Sequence, residues 1–174
     1  MKNLVLIGYM GSGKTTIGKL FAQTYGYKFC DTDYLIEKQT KKKISDIFAS
    51  KGEAYFRELE THTLEMIQGQ LKNTVLSTGG GMPCREENVR LLQSIGTVIF
   101  LNVSKEIVIS RLKEDTTRPL LNGDHFEEKV EEMLTIRNPL YEKAADFVID
   151  TGKKTTKEVV EAIYELMRGE KDKA

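Results

Sequence analysis

The sequence predicts an α/β fold, with a five-stranded parallel sheet lying between two layers of helices. Three observations predict it. Residues 4–7, 27–30, 75–77, 97–103 and 147–150 form short, mostly apolar runs, as expected of strands covered on both faces. Stretches of helical spacing separate most of these runs, and strands alternating with helices build parallel sheets. Turns rich in glycine or aspartate follow the first three runs, at residues 8–15, 31–33 and 79–81. In such sheets a ligand sits beyond the carboxyl ends of the strands, so these three turns are expected to share one crevice.

In order, residues 4–7 read as the first strand and 17–25 as a helix that Gly26 closes. The second strand ends at Asp31-Thr32-Asp33, and a helix follows over 34–39. Lys41, Lys42 and Lys43 read as a solvated turn. A short helix is expected over 45–50. Gly52 opens a longer one, with Phe56, Leu59, Thr63, Leu64 and Ile67 at helical spacing. After the third strand, 85–94 is helical, and 97–103 is the strongest strand signal in the chain. Ser104 caps a helix to about 113. Residues 114–124 lose periodicity and hold Arg118-Pro119 and Asn122-Gly123, the pattern of a functional loop. Two helices are expected next, 126–137 and 139–144, divided before Pro139. The last strand covers 147–150. Thr155 with Glu158 forms a capping box for a helix through 167, and 169–174 reads as a frayed polar tail.

The chain has 174 residues, enough for one domain with a sizeable core. Lys+Arg and Asp+Glu balance at 26 each, which argues against a nucleic-acid or anionic-membrane partner. No apolar stretch is long enough to span a bilayer, and no export signal is recognisable. Cys30 and Cys84 have no metal-ligand spacing and read as reduced thiols of a cytoplasmic protein.

The first turn carries the sharpest chemistry. Gly8-Tyr9-Met10-Gly11-Ser12-Gly13-Lys14-Thr15 is G-x-x-x-x-G-K-T between a strand and a helix, the signature of a loop that cradles a nucleotide polyphosphate. Gly8, Gly11 and Gly13 let the backbone curl so that N–H groups converge on the anion. Lys14 adds positive charge at the β- and γ-phosphates, the Thr15 hydroxyl suits Mg²⁺, and the following helix aims its positive end at the same place. Gly11, Ser12, Gly13, Lys14, Thr15 and Thr16 are therefore the expected nucleotide-binding stretch.

The other strand-end residues each have two readings. Asp31 and Asp33 flank one residue at a strand exit, where alternate side chains can share a side. One could support Mg²⁺ and the other orient or deprotonate a hydroxyl acceptor; alternatively they form an Asp-rich turn capping the next helix. Gly79, Gly80 and Gly81 give either a flexible turn or a close backbone approach to a ligand. Arg57 and Glu60 can pair along one helix face. Arg137 lies at a predicted helix boundary. Arg118 is either a loop charge or a cis arginine finger for phosphoryl transfer. His62 and His125 lack ligand spacing and take no role.

Taken together, the phosphate loop, Asp31-Thr32-Asp33, Phe56-Arg57-x-x-Glu60, Gly79-Gly80-Gly81, Arg118-Pro119-Leu120-Leu121 and Arg137-x-Pro139-Leu140-Tyr141 follow the order seen in shikimate kinases, and the chain resembles that family over nearly its whole length. The resemblance implies a nucleoside-monophosphate-kinase-like fold with a mobile lid at about 114–124 and an acceptor-binding region at about 31–60. It implies MgATP-dependent phosphorylation of the shikimate 3-hydroxyl in aromatic amino-acid biosynthesis, by a cytoplasmic monomer. By match of position, Asp33 holds shikimate hydroxyls beside the one phosphorylated, and Arg57 and Arg137 clamp the shikimate carboxylate. Gly79, Gly80 and Gly81 lie in the acceptor site, the last two through backbone contacts. Asp31 helps position Mg²⁺ with Thr15. Arg118 reaches the phosphates from the lid, Arg111 packs on adenine, and Phe48 and Phe56 wall the acceptor pocket. Lys14, Asp33 and Arg118 are the implied catalytic residues.

The chain departs from the family pattern once. Some members place a proline opposite the adenine-packing arginine, but residues 151–156 here read Thr-Gly-Lys-Lys-Thr-Thr. Two competing functions are a gluconate or nucleoside-monophosphate kinase, which needs other acceptor contacts, and a non-catalytic nucleotide-binding module. The combination of Lys14, Thr15, Asp31, Asp33 and Arg118 argues against the module.

Overall fold

The structure, a computed structural model, describes residues 2–113 and 125–171. Residues 114–124, with Arg118 and the expected lid, lie outside the described residues.

Five parallel strands form one sheet in the order β2-β3-β1-β4-β5. They are β1 (Asn3–Ile7), β2 (Lys28–Asp31), β3 (Thr74–Ser77), β4 (Gly96–Asn102) and β5 (Phe147–Asp150). Side chains alternate across a strand, and both faces are apolar here. Leu4 and Leu6 of β1 point into a cluster with Phe21 of α1 (Lys14–Tyr25) and Ile163 of α7 (Thr156–Lys171). Val5 and Ile7 point the other way. They join Leu64 of α3 (Ile44–Ile67), Leu92 of α4 (Glu86–Ile95), Val108 of α5 (Lys105–Lys113) and Tyr141 of α6 (Phe126–Ala144). The expected three layers are therefore present. A third, smaller cluster of Ile36, Ile47 and Phe56 joins α2 (Thr32–Thr40) to α3. Among the described residues no helix is long and apolar enough to cross a membrane.

Local signals set most boundaries. Gly26 closes α1 at φ 71, and Thr155 and Glu158 make the capping box at the start of α7, with Thr155 N–H donating to Glu158 Oε2 at 2.7 Å. Gly52 leaves helical geometry (φ 81, ψ 175), so the two expected helices form one element bent at that residue. α7 continues to Lys171, beyond the expected end.

The division before Pro139 does not occur. α6 runs unbroken through Pro139. A proline inside a helix costs about 3 kcal/mol. Against that, Tyr141 is fully buried and donates to the Gly80 carbonyl at 2.6 Å. Burying a large ring contributes roughly 1.5–3 kcal/mol and the hydrogen bond about 1 kcal/mol. Val130, Leu134, Tyr141 and Ala144 occupy one buried stripe, so packing offsets the local break.

The strand order gathers the functional turns. Because β3 sits between β2 and β1, the turns after all three strands are neighbours. Asp31 pairs in register with Ser77, and Leu6 with Ser77 on the other side.

Candidate active site

After Ile7 the chain curls through Gly8, Gly11 and Gly13 at φ 143, 76 and 92. Side chains rarely adopt such values. At Gly8 space is also missing, since a Cβ would stand 2.8 Å from the Leu101 carbonyl oxygen. Lys14 is buried and folds back over the loop, with Nζ donating to the carbonyls of Gly8 (2.7 Å) and Tyr9 (2.9 Å). Ser12 is buried beneath it, while Thr15 and Thr16 are exposed in the first turn of α1. The result is a positive loop open to an anion at a helix N-terminus. α5 brings Arg111 to the same loop, where Nη1 donates to the Gly11 carbonyl at 2.7 Å.

Beside this loop, Asp31 takes the capping role that one of its two readings expects. Its Oδ1 caps α2, accepting from the N–H groups of Asp33 (3.0 Å) and Tyr34 (3.3 Å), and the Thr15 hydroxyl donates to its Oδ2 at 3.4 Å. Two hard oxygen donors thus face each other at the mouth of the phosphate loop. Asp33 is not an alternate residue of the strand exit. It lies in the first turn of α2, because the helix starts at Thr32 as soon as Asp31 caps it. From there its carboxylate reaches over the glycine turn, where a Cβ on Gly79 would stand 2.7 Å from Asp33 Oδ1 and 3.0 Å from Glu60 Oε1.

Arg57 lies on the far side of that turn. Its guanidinium donates to Glu60 Oε2 and Glu53 Oε1, each at 2.8 Å. A Cβ on Gly81 would be 2.2 Å from Arg57 Nη1, so only glycine lets the guanidinium come this close. Arg137 enters from α6, with its guanidinium carbon 5.9 Å from the centre of the Tyr9 ring and Nη1 3.7 Å from a Cβ position on Gly80. Arg57, Arg137, Gly81 and Cys84 line one open pocket of about 410 Å³. Phe48 and Phe56 pack against each other in a tilted arrangement, ring centres 4.7 Å apart, in the α2–α3 cluster.

Glu60 is the site residue that sequence reasoning undervalued, treating it only as a partner for Arg57. It is fully buried, and its Oε1 makes no hydrogen bond among the described residues. Burial pushes its carboxyl above the ordinary glutamate value. Arg57 pulls it down, nearby Asp33 pushes it further up, and Arg137 pulls it down, leaving a net rise. A signal was present: Phe56, Glu60 and Leu64 share one helical stripe, so the glutamate falls on the buried face. For Arg57, burial opposes the charge, but the Glu60 and Glu53 carboxylates override it and hold the guanidinium charged. Tyr141, part of the last motif but without a role read from the sequence, is a phenol that burial pushes well up.

Two groups of residues therefore meet at adjacent strand ends, a glycine-rich loop with a pair of hard oxygen donors and a glycine turn surrounded by the Asp33 and Glu60 carboxylates and the Arg57 and Arg137 guanidiniums. The sequence model of the family described as Shikimate kinase matches residues 10–168. A shikimate kinase of Thermodesulfovibrio yellowstonii is 47% identical over 163 residues, covering 94% of this chain and 93% of that protein. One from Persephonella marina is 44% identical, covering 97% of this chain and all of that protein. Among solved structures, the shikimate kinase of Acinetobacter baumannii in complex with shikimate superposes with a TM-score of 0.92 at 36% identity, over 98% of this chain and 95% of that one. That of Aquifex aeolicus gives 0.79 at 34% identity, over 97% of both chains.

Proposed function

Because the chain belongs to the shikimate kinase family, we propose that it transfers the γ-phosphoryl group of ATP to the 3-hydroxyl of shikimate through the loop, carboxylates and guanidiniums of this crevice. The activity, an ATP-dependent step of aromatic biosynthesis, follows from the membership. The observation that carries the residue assignment is the convergence of Asp33, Arg57 and Arg137 on the glycine turn, next to the phosphate loop.

The chemistry divides between the two halves. Lys14 and the loop N–H groups neutralise and hold the β- and γ-phosphates. Arg57 and Arg137 offer planar donors that match a carboxylate. With the ring carboxylate fixed there, Asp33 accepts from the hydroxyl that reacts. The hydroxyl oxygen bonds to the γ-phosphorus as the bond to the bridging oxygen breaks, ADP leaves, and the hydroxyl proton passes toward the Asp33 side. Glu60 Oε1, buried without a partner, suits a second hydroxyl donor of the acceptor or a bound water. Thr15 and Asp31 fit Mg²⁺, a hard cation that prefers oxygen donors. When bound, the ion would spread the charge of the phosphates. Arg111 packs on adenine in this reading, and Arg118 reaches the phosphates from a lid at 114–124. The reading also takes the enzyme as a cytoplasmic monomer of one domain, without nucleic-acid or membrane partners. Its zero net charge supports the nucleic-acid part. The test is product identification by NMR: phosphorus coupling to the proton on carbon 3 is expected, and coupling to another ring proton refutes the placement of Asp33.

Two further outcomes are expected of the acceptor half. Gly81→Ala is expected to push the Arg57 guanidinium off its seat and raise the shikimate KM by about tenfold or more, since a charged hydrogen bond contributes about 1.5–3 kcal/mol. The ATP KM should stay unchanged; an unchanged shikimate KM would show that Arg57 is not needed where it stands. The second outcome concerns pH. Arg57 is held by the charged form of Glu60, and the Glu60 pKa is raised. As pH falls through that raised value, Glu60 takes up a proton and the hold weakens. The kcat/KM for shikimate should therefore fall on the acid side at a pH above the ordinary glutamate range. Glu60→Gln should abolish this limb, and a pH profile with the same limb in that variant assigns it to another group.

A further inference from the structure

The glycine turn has no side chains of its own with which to hold its position, yet both carboxylates and both guanidiniums are arranged around it. Besides Tyr141, which holds the Gly80 carbonyl, two buried polar side chains outside the assigned site fasten the turn from opposite sides. The first is Thr32, fully buried between Asp31 and Asp33, whose Oγ1 accepts from the Gly79 N–H at 3.0 Å. The second is Asn88 of α4, also fully buried. Its Nδ2 donates to the Met82 carbonyl at 3.0 Å, immediately after Gly81, which leaves its Oδ1 to accept from the Thr61 hydroxyl at 2.8 Å. Thr61 lies one helical turn after Arg57, on the same side of α3. Arg85 Nη1 donates to Thr61 Oγ1 at 3.2 Å and closes the network from outside.

Thr32 thus ties the turn to the helix that carries Asp33, and Asn88 with Thr61 ties it to the helix that carries Arg57 and Glu60. We infer that Thr32 and Asn88 are positioning residues that set the separation between the glycine turn, Asp33 and Arg57, and so the affinity for the acceptor. The inference rests on the proposed acceptor site. The tolerance is small, because there is no room for even a Cβ between Gly79 and Asp33 or Glu60, or between Gly81 and Arg57. The opposite edge of the turn is held independently, where the Thr78 N–H donates to the Leu6 carbonyl at 3.2 Å. Loosening the Thr32 or Asn88 tie should therefore displace the acceptor groups and leave the phosphate loop in place.

The experiment compares Thr32→Val, Thr32→Ser, Thr61→Val and Thr61→Ser by separate KM values for shikimate and ATP. Valine keeps the shape and removes the hydroxyl, and serine restores it. In each valine variant the shikimate KM should rise roughly tenfold, with the ATP KM unmoved and the serine variant returning toward the parent. A merely structural role would lower the amount of active enzyme with both KM values unmoved, or shift both KM values together, and either result in a folded variant overturns the inference. An unchanged shikimate KM overturns it as well. Should Thr32→Val not fold, the Thr61 pair carries the same test from the other side. Turnover of shikimate by the unmodified chain is the control. Its failure would count against the acceptor assignment, whereas parent activity without a selective KM change counts only against the positioning role.

Discussion

Asp33→Asn is expected to lower kcat by about 10²–10⁴-fold, the range for removing a positioned proton acceptor. Asparagine keeps the size of the Asp33 side chain and can still accept on one oxygen, but it loses the charge and places a donor where the reacting hydroxyl brings its own proton. The site gives reason to expect a large effect. The Asp33 carboxylate stands over Gly79 beside the buried Glu60, at the junction of the phosphate loop and the acceptor pocket. ATP affinity, measured by calorimetry, should stay close to the parent value, because Lys14 and Arg111 are fastened to the loop through the carbonyls of Gly8, Tyr9 and Gly11. A kcat within about threefold of the parent would remove Asp33 from the reaction, given the size of the effect at stake.

Arg137→Ala is expected to raise the shikimate KM by about 10–100-fold, from the loss of charged hydrogen bonds of roughly 1.5–3 kcal/mol. The same change at Arg57 would be harder to read. Arg57 neutralises a fully buried glutamate, and leaving such a charge without its cation costs about 3–5 kcal/mol in stability. Arg137 instead packs over the Tyr9 ring at the edge of the pocket, so its removal tests acceptor binding more cleanly. Steady-state kinetics with each substrate varied in turn should show the rise for shikimate and little for ATP. A change confined to ATP would place Arg137 in the donor half.

The parts of the site legible in the sequence are those where backbone geometry dictates residue type. Gly8, Gly11 and Gly13 take φ values that suit glycine, and Gly81 leaves room for a guanidinium, so these positions announce themselves as glycines at strand ends. The strands are legible for a similar reason, since burial on both faces requires continuous apolar runs. What stays hidden depends on contacts between distant segments. Pro139 is a local break signal, yet Tyr141 anchors the next turn of the helix to Gly80, sixty-one residues away in sequence. Asp33 reads as a strand-exit residue in sequence, but the cap formed by Asp31 starts the helix earlier than periodicity suggests. Glu60 and Asn88 are polar residues in stretches that read as ordinary helix and Thr32 reads as part of a turn, and their burial becomes visible only when α2, α3 and α4 close around the glycine turn.

In the proposed function two halves, one for a nucleotide polyphosphate and one for a hydroxylated carboxylate, operate as a single site. The most direct measurement is coupled ADP release with shikimate, gluconate and nucleoside monophosphates offered in turn as acceptor with MgATP. ADP release that depends on shikimate, and on neither of the others, is the predicted result. Release that is independent of shikimate, or faster with gluconate or a nucleoside monophosphate, would contradict it.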